Sequence, residues 1–177
     1  MNRDDRRRID RYVKAMTDHY LPGAGGEKII HDPIWGSIVF YPWEVRLIDS
    51  PLFQRLRNIN QVGLADSTYP AALHTRFEHS LGTTAVASRM MEQMLSDAKQ
   101  RADVKHVIGE KEIRLVRLAA LLHDVGHGPF SHVLENTIVP GVHHEEISLL
   151  LMERMNRELG GRLDLAIRIY RDEYEKR

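Results

Sequence analysis

The segment LAALLHDVGHGPFSH, Leu118 to His132, constrains this chain more than any other stretch, because an apolar helical run stops there and polar groups follow at once. His123 and Asp124 end the apolar run, and two glycines, a proline and two more histidines follow within eight residues. An imidazole beside a carboxylate suits a divalent metal of intermediate hardness. His127 follows His123 by four residues, a spacing that places both on one helical face. The pattern predicts a helix whose end carries a metal site.

A second segment, TRFEHSLG, supplies another histidine near the start of a long helical pattern. Arg76 and His79 are three residues apart and therefore share a face of that helix. If this helix packs beside the one that ends at His123, then His79, His123 and Asp124 meet as three metal ligands. Arg76 would point toward the same cleft, where a guanidinium suits a phosphate group. The alternative is structural, since a His-Asp pair at a helix end also caps the helix, but the clustering of imidazoles and glycines favours the metal site.

Apolar periodicity predicts a mostly helical chain with a short β-hairpin near its start. Pro42 suits the first turn of one helix, and Ser50 is a predicted N-cap followed by proline at the first helical position. Gly126 is predicted to end its helix in the left-handed conformation. The predicted strands are Lys28 to His31 and Ser37 to Tyr41, and the predicted helices are Asp4 to Tyr20, one from Pro42, one after Ser50, Thr75 to about Lys99, Glu110 to Asp124, Ser131 to Asn136, His143 to Leu159 and Leu163 to Lys176.

Length and composition narrow the class of protein. The 177 residues are enough for one domain with a substantial core, and we expect a single all-α domain over residues 1–177, with residues 1–27 as a peripheral helix and loop. Basic and acidic residues number 25 each, so the net charge does not indicate a nucleic-acid-binding protein.

The absence of cysteine excludes disulfides and thiol catalysis. The N-terminus is too charged for a secretion signal, and the longest apolar runs are too short to span a bilayer. We therefore expect a cytoplasmic protein with no membrane partner.

The spacing of His79 and the pair His123-Asp124 resembles the signature of the HD-domain metal-dependent phosphohydrolases. The stretches IHDPIWGSI, LIDSPLFQRLRNINQVG, HTRFEHSLGT and LLHDVGHGPFSHVLE resemble the dGTPase-like branch, which contains the deoxynucleoside triphosphate triphosphohydrolases. The resemblance covers roughly His31 to Glu146. It implies an HD-domain helical bundle with one divalent metal ion (Mg, Mn, Fe, Ni or Zn). It also implies hydrolysis of a dNTP substrate at the α-phosphate, which releases a deoxynucleoside and triphosphate.

The same resemblance assigns roles to individual residues of this chain. The implied metal ligands are His79, His123 and Asp124, the implied catalytic histidines are His127, His132 and His144, and the implied substrate contacts are Arg76 to phosphate and Gln61 to the sugar. His143 stands next to His144 and is the alternative for that position. His132 is our choice for the general acid that protonates the leaving 5′-oxygen, a role worth roughly 10²–10⁴-fold in rate. Glu135, three residues later, is expected to hold the His132 ring.

Relatives that are allosterically activated use the segment that matches IDSPLFQRLR. In this chain the implied contacts to a GTP- or dGTP-type activator are Asp49, Gln54 and Arg57 to the base, and Lys28 to phosphate. The alternative is a structural helix whose charged side chains are solvated. We expect the full-length protein to be a homo-oligomer.

One departure from the family pattern concerns the metal site. The family completes it with a second aspartate well downstream, whereas the aspartates after Asp124 are Asp164 and Asp172, both in an amphipathic pattern typical of surface. We therefore expect a chain truncated before that ligand, with weak Mn²⁺ binding and little or no activity of its own. The alternatives to the enzyme are a non-catalytic nucleotide-binding or regulatory HD module, and an HD phosphodiesterase or guanosine-tetraphosphate hydrolase that acts on another nucleotide.

Overall fold

The computed structural model describes residues 4, 7–8, 11, 26–100, 109–130, 141 and 143–175. The predicted helix Asp4 to Tyr20 lies mostly outside these residues, and the predicted helix Ser131 to Asn136 lies wholly outside them, as do His132 and Glu135. The described elements are the strands β1 (Lys28–Asp32) and β2 (Gly36–Phe40), and the helices α1 (Pro42–Ile48), α2 (Pro51–Gln54), α3 (Arg76–Gln100), α4 (Glu110–Leu122), α5 (His144–Glu158) and α6 (Asp164–Glu175).

The predicted hairpin near the start of the chain is confirmed. Strands β1 and β2 pair antiparallel with Ile30 opposite Ile38, and the turn between them uses Gly36 at φ +73°. Asp32 stabilises this turn, because its Oδ1 accepts hydrogen bonds from two following backbone N–H groups at 2.8 Å. Ile38 and Phe40 are buried, so alternate residues of β2 face the helices. The fold is therefore a helical domain with one small sheet, as the sequence predicts.

Local sequence signals account for where the helices begin. Ser50 caps α2, since its Oγ accepts a hydrogen bond from Phe53 N at 3.3 Å, and Pro51 occupies the first helical position. The start of α3 carries a reciprocal pair that the sequence reading did not single out. Glu78 Oε2 accepts from Thr75 N at 2.6 Å, and Thr75 Oγ1 accepts from Glu78 N at 3.4 Å. The pair of Thr75 and Glu78 stabilises the first turn of α3.

The core lies between the long helix α3, its neighbour α4 and the helices α1, α2, α5 and α6. A buried ion pair connects the hairpin region to this core, because Arg117 of α4 donates to both carboxylate oxygens of Glu44 at 2.6 and 2.7 Å. Arg117 also donates to Val39 O of β2 at 3.0 Å and to Ser88 of α3. In the described part of the chain no helix is both long enough and apolar enough to cross a membrane.

The prediction of a left-handed C-cap at Gly126 is wrong. The φ angle of Gly126 is not positive. Helix α4 ends at Leu122, two residues before the predicted end at Asp124, so the turn also begins earlier than predicted. A Cβ atom at this position would lie 2.2 Å from Ser148 N and 2.3 Å from His144 O. Glycine is required here because the first turn of α5 passes directly against the backbone, and not because the chain needs an unusual φ angle.

Candidate metal centre and active site

The start of α3 brings Arg76 and His79 to the site. An isolated antiparallel bridge pairs Asn60 with Thr75, and Arg76 N donates to Ile59 O at 2.9 Å. This bridge holds the segment after α2 beside the first turn of α3. Arg76 therefore lies next to the segment that carries Gln61, and His79 follows one helical turn later.

The end of α4 orients His123 for metal binding. His123 Nδ1 lies 2.7 Å from the carbonyl oxygen of Ala120. A carbonyl oxygen can only accept, so Nδ1 is the donor, and Nε2 is the ring nitrogen that is left to face a metal ion. A metal-binding histidine commonly donates its other ring N–H in this way.

The three predicted ligands converge on one position. Their ligand atoms all lie within 4.8 Å of one another, and this is a group that can hold a metal ion. His79 Nε2 and His123 Nε2 are 3.2 Å apart, and Asp124 lies 3.3 Å from His123 Nε2 through Oδ1 and 3.9 Å from His79 Nε2 through Oδ2. Zinc bonds to nitrogen and oxygen are about 2.0–2.2 Å long, so donors about 3 Å apart fit one shared ion. Two imidazoles and a carboxylate suit divalent transition metals.

Arg76 and Gln61, the predicted substrate contacts, both contact the carboxylate of Asp124. Arg76 is buried, and its Nη1 donates to Asp124 Oδ2 at 2.7 Å. Gln61 Nε2 approaches the same oxygen at 3.5 Å. Among the described residues, Arg76 Nε and Gln61 Oε1 are buried without a hydrogen-bond partner. The structure therefore brings both residues to the site, where they contact the predicted ligand Asp124.

His127 and His144, two of the predicted catalytic histidines, stack on each other. Their ring centroids are 3.8 Å apart, with an interplanar angle of 18°. His127 Nε2 lies 3.4 Å from Asp124 Oδ1, and His144 Nδ1 lies 3.4 Å from Glu145 Oε2. The stack therefore joins the turn after α4 to the start of α5. His132, the predicted general acid, lies outside the described residues.

Burial and neighbouring charges set the protonation states in the site. Burial lowers the pKa of His79 below its usual 6.5, and the charge of His123 acts in the same direction. Burial also lowers the pKa of His127, although its hydrogen bond to Asp124 opposes that change. Burial alone would raise the pKa of Asp124, but the His127 hydrogen bond and the basic neighbours outweigh it and hold that pKa well below the usual range. Near neutral pH, Asp124 is therefore a negative carboxylate and the His79 ring is neutral, the forms in which carboxylates and histidines bind metal.

Two residues that the sequence reading missed hold the turn after α4. Arg55 donates to His127 O at 2.6 Å and to Val125 O. Ser148, buried on α5, accepts a hydrogen bond from Gly126 N at 2.9 Å. A sequence signal existed for Ser148, since a small polar residue interrupts an apolar helix face four positions after His144. Arg55 gave no comparable signal, because its partners are 70 and 72 residues away.

The four residues predicted to bind an activator form two pairs. Lys28 Nζ and Asp49 Oδ1 are 2.8 Å apart in a half-exposed ion pair. Arg57 Nε donates to Gln54 Oε1 at 2.8 Å, and the Arg57 guanidinium lies 3.6 Å above the centre of the Phe77 ring.

Asp164, one of the two late aspartates, has a structural partner. Its exposed carboxylate accepts a hydrogen bond from Asn156 Nδ2 at 2.6 Å. Asn156 Oδ1 in turn accepts from Leu163 N at 2.7 Å. Asp164 thus belongs to the junction between α5 and α6, in line with the surface role predicted for it.

Comparison with known proteins places these features in a family. The HD domain family matches residues 76–175. The deoxynucleoside triphosphate triphosphohydrolase SAMHD1 of Bos taurus is 40% identical over 134 residues, and that of Homo sapiens is 34% identical over 157 residues. These matches cover 72% and 85% of this chain, but the chain spans 22% and 24% of those two proteins. The crystal structure of a phosphohydrolase from Bacteroides thetaiotaomicron superposes with a TM-score of 0.70 at 49% identity, over 85% of this chain and 36% of that one.

Proposed function

This chain belongs to the HD-domain family of phosphohydrolases, and from that premise we propose that it is a metal-dependent enzyme that hydrolyses dNTPs to a deoxynucleoside and triphosphate. The observation that carries the proposal is the convergence of His79, His123 and Asp124 within 4.8 Å. The SAMHD1 relatives, which are named as deoxynucleoside triphosphate triphosphohydrolases, support the choice of substrate.

The proposed reaction breaks the bond between the α-phosphorus and the 5′-oxygen. Water adds to the phosphorus, so the oxygen that leaves needs a proton and the phosphate charge must be neutralised. A divalent ion held by the three ligands would supply charge neutralisation and lower the pKa of a water. Arg76 and Gln61 orient Asp124, and Arg76 Nε and Gln61 Oε1, which lack a hydrogen-bond partner among the described residues, are available to bind substrate.

The histidines manage the protons in this proposal. His127 is neutral near pH 7 because burial lowers its pKa, so its ring can accept a proton, and the stacked His144 holds it in place. His132 donates the proton to the 5′-oxygen, a role that rests on the family resemblance alone.

One assay tests the enzyme against its alternatives. The full-length protein is incubated with each dNTP and with Mg²⁺, Mn²⁺, Fe²⁺, Ni²⁺ or Zn²⁺, and deoxynucleoside and triphosphate are separated by ion-exchange chromatography. Both products, in equal amounts, are expected. Nucleotide binding without turnover would favour the non-catalytic module. That alternative is supported by Arg76, which binds Asp124 Oδ2, an oxygen that a metal ion would otherwise use. Turnover of guanosine tetraphosphate or a cyclic nucleotide in place of dNTPs would favour the phosphodiesterase-type alternative.

A GTP- or dGTP-type activator is a second part of the proposal. It is supported by the exposed polar pairs Lys28–Asp49 and Gln54–Arg57, which lie at the positions that activated relatives use. Added GTP should raise the dNTP turnover of the full-length protein, and light scattering tests whether that protein is a homo-oligomer. Turnover that does not respond to GTP or dGTP would remove this site from the proposal.

A further inference from the structure

We propose that Arg55 and Ser148 are positioning residues that set the metal affinity of the site by holding the backbone of the turn at residues 123–128 from two sides. The inference rests on the proposed function, because it takes the three converging side chains to be metal ligands. Neither residue is proposed as a ligand, because both act on the backbone of the turn: Arg55 bonds to two of its carbonyl oxygens and Ser148 to one amide and one carbonyl.

Arg55 holds one side of the turn through its carbonyl oxygens. One guanidinium donates to Val125 O and to His127 O, and both of those residues are buried. A buried carbonyl needs a hydrogen-bond partner, and the rigid fork of an arginine serves two carbonyls at a fixed spacing. The distance between the two carbonyls, on either side of Gly126, is therefore set by a residue about 70 positions away.

Ser148 holds the other side of the turn. Its Oγ accepts from Gly126 N at 2.9 Å and lies 3.4 Å from His123 O, toward which it donates. Ser148 is completely buried, so water does not compete for these bonds. The close approach is possible only because Gly126 has no Cβ, which would lie 2.2 Å from Ser148 N.

Together the two side chains hold the backbone on both sides of Asp124. His123 O lies before that carboxylate in sequence, and Val125 O, Gly126 N and His127 O lie after it. A ligand carboxylate on a turn is only as well placed as the backbone that carries it. Losing a partner outside the direct ligands of a metal typically costs 10–100-fold in affinity.

The test measures Mn²⁺ affinity by titration calorimetry on the full chain, well below its melting temperature. Arg55→Lys keeps the charge but reaches one carbonyl at a time, and Ser148→Ala removes the hydroxyl. Both are expected to bind Mn²⁺ roughly 10–100-fold more weakly than the parent. The matched controls are Arg114→Lys, in an exposed pair with Glu110, and Ser96→Ala, on the exposed face of α3, and both should bind as the parent does.

Chemical rescue separates positioning from general destabilisation. In Arg55→Ala, millimolar guanidinium chloride should restore Mn²⁺ affinity, whereas the same concentration of sodium chloride should not. If the parent binds Mn²⁺ and Arg55→Lys binds it equally well, or if guanidinium has no effect, the positioning inference is wrong and the proposed function stands. If the parent binds no divalent ion at all, the proposed function is wrong and this inference falls with it.

Discussion

At the scale of single residues, the proposed metal ligands and the histidines proposed to transfer protons are different side chains. His123 offers Nε2 to the cluster because its Nδ1 is engaged by Ala120 O. His127 instead stacks on His144, and its Nε2 lies 3.4 Å from Asp124 Oδ1, the oxygen that His123 Nε2 also approaches. Substitutions of the two kinds should therefore have different consequences.

The first prediction compares His123→Ala with His132→Ala. In the full-length protein, loss of His123 removes a ligand, so both Mn²⁺ binding and dNTP hydrolysis should disappear. Loss of His132 should lower hydrolysis by roughly 10²–10⁴-fold while Mn²⁺ binding is kept, because a general acid is not a ligand. Calorimetry and product chromatography on the same samples measure both, with His31→Ala in the hairpin as the control. Full activity in His132→Ala would show that another group is the acid.

The second prediction concerns the pH dependence of stability in chelator-treated protein. Because the pKa of His79 and of His127 is lowered on folding, the unfolded chain binds more protons than the folded chain once the pH falls below about 6.5. Stability should therefore decrease as the pH is lowered from 7 through this range. The lowered pKa of Asp124 acts in the same direction below about 3.8.

Urea unfolding at a series of pH values measures this effect. The double variant His79→Asn with His127→Gln removes the two histidines whose pKa is lowered, so its urea midpoint should depend less on pH than that of the parent between pH 7 and 5. A midpoint that rises as the parent is acidified would contradict the assignment.

At the scale of the elements, the site depends on how closely α5 packs against the turn after α4. The third prediction is that Gly126→Ala destabilises the protein by at least about 1–3 kcal/mol, since the new methyl group meets backbone atoms that cannot rotate away. Gly128→Ala is the matched control. Among the described residues nothing lies within 4 Å of a Cβ at Gly128, and its φ is not positive, so its effect should stay within about 0.5 kcal/mol. Equal urea midpoints for the two variants would contradict the close packing.

At the scale of the whole molecule, the buried pair of Glu44 and Arg117 connects the hairpin, α1, α3 and α4. The fourth prediction is that Arg117→Met lowers the free energy of unfolding by about 3–5 kcal/mol, because it leaves the Glu44 carboxylate buried and unpaired. Arg114→Met breaks an exposed pair and should cost less than about 1 kcal/mol. Adding Glu44→Gln to Arg117→Met should recover part of the loss, as a double-mutant cycle in urea will show.

The sequence by itself determined the features that depend on neighbouring residues. Two segments rich in β-branched and aromatic residues on either side of a Pro-x-x-Gly turn predicted the hairpin, and Ser50 with Pro51 predicted a helix start. Helical spacing and family resemblance predicted that His79, His123 and Asp124 converge, and the three do lie together. Their role as ligands stays a prediction.

Only the tertiary structure decided which distant atoms meet. Arg76 pairs with Asp124 across 48 positions, and Arg55 reaches the turn across more than 70. Gly126, which looked like a conformational cap, is needed for the approach of α5. The physical reason is that periodicity shows which face of a helix a residue occupies, but hydrogen bonds depend on positions to within a fraction of an ångström. Those positions exist only once the helices have packed.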